Sequence, residues 1–285
     1  MSSLPVVLSF GASDATGASA LQADLLAVSS MGCHSTSVIT AILIGEDAGD
    51  TALLALDDEA IEGQARTVLQ NMAVAAFKVG MVAGVDQVQP IAAILADYDT
   101  VPVVFEPKFE QSGSDDADIA LADAMRELLV PQATVVCVSL ALARRLVGLA
   151  NDDDERSHGL PAATCARELI EWGAEFVLVT DAEPGSSQAA AALYDESGLV
   201  RGDALPRIEA PSTRVLGVTD TLSAALAGLL AQGLDVPEAC QEACQYTAAA
   251  VMHAFPAGIG VAIPDRLFWA GDDDDDEDDD NTDVN

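Results

Sequence analysis

Positive charge is what this sequence has least of. Of 285 residues only 12 are Lys or Arg, against 47 Asp or Glu, for a formal net charge of −35. Two of the 12 are lysines, Lys78 and Lys108. Such a field repels nucleic acid and anionic membranes, so neither is expected as a partner. It also opposes an anionic substrate, so a phosphate site would need local donors or a metal. Residues 272–285 hold ten of the acids; without them 37 acids still face 12 bases, net −25. The body is acidic in its own right, a balance suited to a saline cytoplasm where salt screens self-repulsion.

Other absences narrow the field. Aromatics make up 4% of the chain, which argues against an aromatic-rich β-sandwich. The five cysteines (Cys33, Cys137, Cys165, Cys240, Cys244) are odd in number and form no CxxC or Cys/His zinc spacing. They read as buried thiols in a reducing compartment. No Lys or Arg precedes Arg66, so the positive n-region of a signal peptide is missing. No apolar run reaches the roughly 18 residues of a membrane span. The expected location is the cytoplasm. No Gly-Lys-Ser/Thr of a Walker A loop occurs, and "GASDATG" (11–17) fails the GxGxxG fingerprint. The three histidines lie far apart and no nucleophile-elbow sequence supports a hydrolase. "NDDDE" (151–155) reads as a solvated loop.

Half the residues are apolar, dominated by Ala, Val and Leu, enough for a substantial core. Short apolar runs predict strands at 4–11, 34–45, 73–82, 101–107, 133–139 and 175–181. Helical spacing predicts helices over 18–32, 57–72, 86–98, 115–130, "LALARRLVGL", 162–173, and near 220–232 and 237–254. In the first of these Leu21, Leu25, Val28 and Met31 share a face. Pro90 is placed in the first turn of its helix. Residues 189–205 read as a hairpin around Asp195–Gly198, an antiparallel edge. The β-α alternation predicts a mainly parallel sheet covered on both faces by helices.

Two loops can carry chemistry. The loop after the first strand lies at a strand's carboxyl end, where open α/β sheets bind ligands. The turn "GVTD" (217–220) opens a helix whose first N–H groups and dipole suit an anion. Asp220 there can take a proton from a hydroxyl attacking a phosphoryl group. From these residues alone, an ordinary N-cap at Thr219 or Asp220 is the stronger reading.

In order, "SFGASDATGASALQADLLAVSSMGCHSTSVITA", "FKVGMV", "LGVTDTLSAALAGLLAQGLDVPEA" and "GIGVAIPDRLFWA" resemble motifs of the hydroxymethylpyrimidine/phosphomethylpyrimidine kinases of thiamine biosynthesis, in the ribokinase-like superfamily. The similarity runs from about Val6 to Ala270. It implies a three-layer α/β/α sandwich and one kinase domain over residues 1–271, followed by a disordered acidic tail at 272–285. It implies a homodimer, ATP with Mg²⁺, and phosphorylation of a pyrimidine alcohol and then of its phosphate.

Carried over by position, the resemblance assigns Asp220 as base and the backbone of Gly217, Val218 and Thr219 as the anion hole. Gly11, Asp14, Gly17, Gly45 and Met81 fall at the substrate, Thr180 and Asp181 at the nucleotide, and Glu106 at Mg²⁺ through water, while Lys108 is expected as a phosphate or substrate contact peculiar to this chain. The family's Gly-Ser/Thr-Gly-Cys turn is here Gly217-Val218-Thr219-Asp220. A β-branched Thr219 would be strained if that position needs a positive φ. Asp220 is the residue type that sugar and pyridoxal kinases of the superfamily use as base.

The family's Asn-x-x-Glu aligns with Ser139 and Leu142. Its substrate-reading glutamine aligns with Gly45, beside Glu46, and its Gly-Gly-Ala-Gly with Gly17-Ala18-Ser19-Ala20. Its Asp-Pro-Val aligns with Glu106-Pro107-Lys108, and the glycine after Thr180 with Asp181. Two outcomes are compatible with these changes: a working small-molecule kinase with a rebuilt site, or a catalytically inactive relative that binds a ligand or an active subunit.

Overall fold

A computed structural model describes residues 3–45, 51–108, 115–150, 159–182, 189–205, 214–258 and 261–270. The tail at 272–285 and the loop at 151–155 lie outside them.

Nine strands form one sheet in the order β3-β2-β1-β4-β5-β6-β7-β8-β9. Six are parallel: β1 (Val6–Asp14), β2 (His34–Gly45), β4 (Val74–Val79), β5 (Val103–Phe105), β6 (Val135–Ser139) and β7 (Phe176–Thr180). Their short Val-rich runs are buried almost without interruption, as strands covered on both faces must be. The edges are antiparallel: β3 (Thr51–Ala55) pairs with β2, and the expected hairpin is β8 (Ala189–Asp195) with β9 (Gly198–Leu205). A three-stranded sheet adds β10 (Arg214–Val215), β11 (Phe255–Gly258) and β12 (Val261–Ile263).

Two helical layers cover the large sheet. On one face lie α2 (Asp58–Leu69), α3 (Val85–Ala96), α4 (Asp115–Ala124), α5 (Leu140–Ala150) and α6 (Ala162–Glu171), where Ile61, Ile91, Leu146 and Leu169 are buried against Phe77 and Phe105. On the other lie α1 (Ala20–Ser30), α7 (Val218–Ala231) and α8 (Val236–Met252), with Val28, Leu222, Leu226 and Cys240 buried. The chain is thus the three-layer α/β/α sandwich expected. All five cysteines are buried free thiols.

Helix α7 is apolar on nearly every side and buried from Asp220 to Leu230, which suits a helix wedged among α1, α8 and the sheet. Its small residues let α1 approach closely: a Cβ on Gly228 would stand 2.9 Å from the Met31 Cβ. Along α1, Leu21 and Val28 are buried while Leu25 and Met31 are half-buried, and Asp24 is buried with them.

Three details differ from the sequence expectations. Pro90 sits in the interior of α3, not its first turn; the helix starts one residue earlier than its acids suggested, at Val85 after Gly84. Beyond Ala124 the fourth helix widens into a π turn (Met125–Leu129) and ends in a 3₁₀ turn (Val130–Gln132), where Pro131 stops it. Strand β3, "TALLA", carries no clean alternation, and its pairing with β2 creates it.

Strand β1 is followed in the sheet by β2 on one side and β4 on the other. The carboxyl ends of β1 and β4 therefore border the topological switch point, where open α/β sheets leave a crevice. A register shift at Gly11/Ala12 bulges β2, so that Thr40 faces no partner in β1. Its hydroxyl donates to the Met81 carbonyl at 2.7 Å, and its carbonyl accepts from the Gln87 side chain at 2.9 Å. This anchors the segment after β4 beneath the crevice.

Candidate active site

At the crevice Ala12, Ala20, Ala41 and Met81 bury a small apolar cup, with Leu43, Leu53 and Ala83 half-buried around it. The loop feeding it is organised by Asp14. One carboxylate oxygen accepts from the Thr16 N–H (2.9 Å) and hydroxyl (2.7 Å), the other from the Ser19 N–H (2.9 Å) and hydroxyl (2.8 Å). Burial would raise this carboxyl, but the four donors outweigh it and lower it. Gly17 closes the loop at φ 73°, and Ala20 opens α1 at φ 55°, a left-handed conformation rare for a residue with a Cβ. The unusual φ aims the Ala20 N–H at the Asp220 Oδ1, 2.9 Å away. Backbone strain is thus spent joining the first loop to α7.

The start of α7 is built around Gly217. Its φ of 74° places the left-handed residue at the N-cap, and Val218 and Thr219 belong to the helix. Thr219 has no positive φ, so the strain considered for it falls on a glycine instead. No side chain caps the helix, which leaves its first-turn N–H groups uncapped. Gly217 cannot be replaced cheaply: a Cβ there would stand 1.9 Å from the Ala18 carbonyl oxygen and 2.5 Å from the Arg266 guanidinium. Buried Arg266 stitches the two loops, donating to the Ala18 carbonyl (2.7 Å), the Gly217 carbonyl (3.4 Å) and the Thr221 hydroxyl (2.9 Å).

Behind these loops runs a line of alternating charge. Lys78 binds both oxygens of Asp24 (2.7 and 2.9 Å) and the Glu106 Oε2 (2.9 Å), which also accepts from the Ser223 hydroxyl at 2.8 Å. Lys108 pairs with the Glu106 Oε1 at 3.3 Å and with the Asp220 Oδ1. Both lysines of this acidic chain therefore stand in one cluster. Burial would strip each of its proton, but the facing carboxylates outweigh it and raise both ammonium groups. Burial alone would raise Asp220; Lys108 first and then Lys78, with the hydrogen bonds from Lys108 and Ala20, hold it at about 2. A Cβ on Gly80 would stand 3.1 Å from the Lys78 Nζ, which accounts for the Lys-x-Gly spacing.

Of the residues expected from sequence, Met81, Gly217, Lys108, Glu106 and Asp220 converge on this crevice through the contacts above, and Gly11 lies in β1 at the register shift, its Cα side against Leu21. Gly45 ends β2 opposite Thr51 in the edge hairpin. Thr180 is buried at the carboxyl end of β7, and Asp181 follows at φ 54°, the backbone shape that suits glycine there. Ser139 accepts the Leu142 N–H at 3.3 Å and so caps α5, while Leu142 packs on the core. Asp24, Ala20, Ser223 and Arg266 were not singled out from sequence, since each acts through a partner 54 to 248 residues away.

The carboxylates do not fit a magnesium ion. Both Asp24 oxygens, the Glu106 Oε2 and the Asp220 Oδ1 face ammonium, hydroxyl or amide donors, the Glu106 Oε1 has the Lys108 ammonium at 3.3 Å but no hydrogen bond, and among the described residues no group of three or more His, Cys, Asp or Glu could hold a metal. Nor is any helix among them long and apolar enough to cross a membrane.

The family model for phosphomethylpyrimidine kinase matches residues 14–264. This chain belongs to the phosphomethylpyrimidine kinase family. A hydroxymethylpyrimidine/phosphomethylpyrimidine kinase of Rhizobium meliloti is 33% identical, covering 90% of this chain and 93% of its own. One from Streptomyces coelicolor is 29% identical over 94% of this chain and 96% of its own. Among solved structures, Bacillus subtilis pyridoxal kinase in complex with ADP superposes with a TM-score of 0.79 at 25% identity, covering 94% of this chain and 100% of that one. The fold described above is the ribokinase-like fold of these kinases.

Proposed function

We propose that the chain is an ATP-dependent kinase of thiamine biosynthesis. It transfers the γ-phosphoryl group to the hydroxymethyl group of a pyrimidine alcohol, or to that alcohol's phosphate. One observation carries the reading. Asp220 stands buried at the uncapped start of α7, joined through Ala20 to the apolar cup holding Met81. A ring seated against Met81 and Ala12 would bring its hydroxymethyl group toward Asp220.

The substrate hydroxyl gives its proton to the Asp220 carboxylate as its oxygen attacks the γ-phosphorus. The bond from that phosphorus to the β-bridging oxygen breaks, and ADP leaves. The N–H groups opening α7, from Gly217 to Thr219, face the charge that develops on the equatorial oxygens. Gly11, Asp14 and Gly17 shape the substrate loop, with Gly45 at its far rim, and Thr180 and Asp181 border the nucleotide. Magnesium, implied by the family, would arrive on the phosphates of ATP, since no group of three or more candidate ligands stands among the described residues. Homodimerisation is part of the same proposal and is checked by light scattering.

The test is a kinase assay with ATP and either hydroxymethylpyrimidine or its phosphate, wild-type against Asp220→Asn. Wild-type turnover and a loss of about 10²–10⁴-fold in kcat for the variant, with an unchanged circular dichroism spectrum, are expected. Equal activity in the two proteins would remove Asp220 as base. No turnover of either substrate by the wild type would overturn the reading itself.

A further inference from the structure

We propose that Lys108 is a mobile catalytic cation, closed on Asp220 in the unliganded enzyme and transferred to the reacting phosphoryl group when both substrates are bound. The inference rests on the kinase reading above. It adds a part for Lys108, the more exposed of the cluster's two lysines.

The two lysines are held differently. Lys78 is pinned between Asp24 and Glu106 with its side chain 1% exposed. Lys108 touches one oxygen of Glu106 and one of Asp220, and its side chain is 19% exposed. It sits just beyond β5 and Pro107, on the open side of the cluster. Its ammonium therefore has a way out of the cluster, and its departure leaves the buried Asp220 carboxylate without its nearest counter-charge.

Its resting position also loads one oxygen of the base. The Asp220 Oδ1 already accepts the Ala20 N–H, and Lys108 occupies the same oxygen. The charged groups around Asp220 are Lys108, Lys78 and Arg266 on one side of the balance and Glu106 and Asp24 on the other. With Lys108 in place they hold the carboxylate below its ordinary range. Removal of that ammonium makes Asp220 a better base. The same movement brings a positive charge to a triphosphate that otherwise meets a protein of net charge −35. Among the described residues no metal-holding group supplies that charge. Lys108 stays protonated throughout; the alcohol proton goes to Asp220 and the electron pair of the broken P–O bond leaves with ADP.

Two lysines make the test direct. Protein labelled with ¹⁵N at the lysine Nζ gives two ammonium signals, assigned with Lys108→Arg. Addition of a non-hydrolysable ATP analogue with hydroxymethylpyrimidine should shift the Lys108 signal and leave that of Lys78. In the free protein, Asp220→Asn should also move the Lys108 signal. Calorimetry on the same samples establishes that the ligands are bound. A bound complex with both signals unmoved would overturn the proposal while leaving the kinase reading intact; absence of binding and turnover would remove both.

Kinetics give the second arm. Lys108→Met should lower kcat about 100-fold, the range for losing one donor to a transition-state charge. It should also move the acid limb of kcat/KM, which reports the free enzyme, up by a pH unit or more. Ethylammonium should raise the kcat of Lys108→Ala at least tenfold with saturation, and Lys108→Arg should keep activity within tenfold of wild type. A Lys108→Met enzyme with wild-type kcat and an unmoved acid limb would refute the role. If that variant fails to fold, the ¹⁵N shifts of the wild type still decide.

Discussion

Gly217→Ala should be among the most damaging single-methyl additions in this protein. The residue stands at φ 74°, where a Cβ costs about 1–2 kcal/mol for conformation alone. The larger part is collision. The new Cβ would lie 1.9 Å from the Ala18 carbonyl oxygen, well inside contact, so the first loop or the α7 turn must retreat by more than an ångström. Arg266 cannot follow, because it is buried and bonded to both loops. The Ala18–Arg266 hydrogen bond at 2.7 Å is lost, at about 1.5–3 kcal/mol for a charged donor. Together these suggest about 3–5 kcal/mol, against a typical total stability of 5–15. Urea unfolding followed by circular dichroism measures it, and the kinase assay should show little activity even in the folded fraction. Gly17→Ala is the control. It has nearly the same φ, 73°, but nothing lies within 4 Å of its Cβ position, so it should lose only about 1 kcal/mol. Similar losses at the two sites, or a Gly217→Ala protein within 1 kcal/mol of wild type, would refute the collision argument.

Lys78→Met should destabilise by about 3–5 kcal/mol in urea, since it leaves Asp24 buried without a counter-charge and Glu106 with Lys108 alone. Ala20→Gly should raise stability by about 0.5–1 kcal/mol, the left-handed cost relieved less the entropy of glycine; a loss would show that the φ of 55° is not strained. Because Asp220 is more acidic folded than unfolded, its stabilisation is complete above the ordinary carboxylate range near pH 4. It is lost as the pH falls through about 2. Urea titrations at pH 5 and pH 2 should therefore differ by on the order of 2 kcal/mol less in Asp220→Asn than in wild type.

Much of the frame was legible because local signals were enough for it. Continuous Val-rich runs between helical periods placed the parallel strands, and the turn at Asp195–Gly198 placed the edge hairpin. Strand β3 escaped notice, because "TALLA" takes its form from the β2 edge beside it. Motif order carried the anion-hole turn, Asp220 and Lys108. The rest of the site was hidden by distance along the chain. Asp24 looks like a polar residue on an amphipathic helix until Lys78 stands beneath it. Arg266 looks like a surface arginine near the end of the folded body until it closes on Ala18 and Gly217. The concern over Thr219 placed the positive φ two residues too far along; it lies at Gly217.

The placement of both lysines has a consequence for handling the protein. The folded chain presents almost no side-chain amine to reagents: Lys78 is sealed, and Lys108 is four-fifths covered and paired. Amine-directed dyes, cross-linkers and lysine-specific proteases should find next to nothing to attack until the core opens. The number of modified lysines, from none to two, is then a direct count of unfolded molecules.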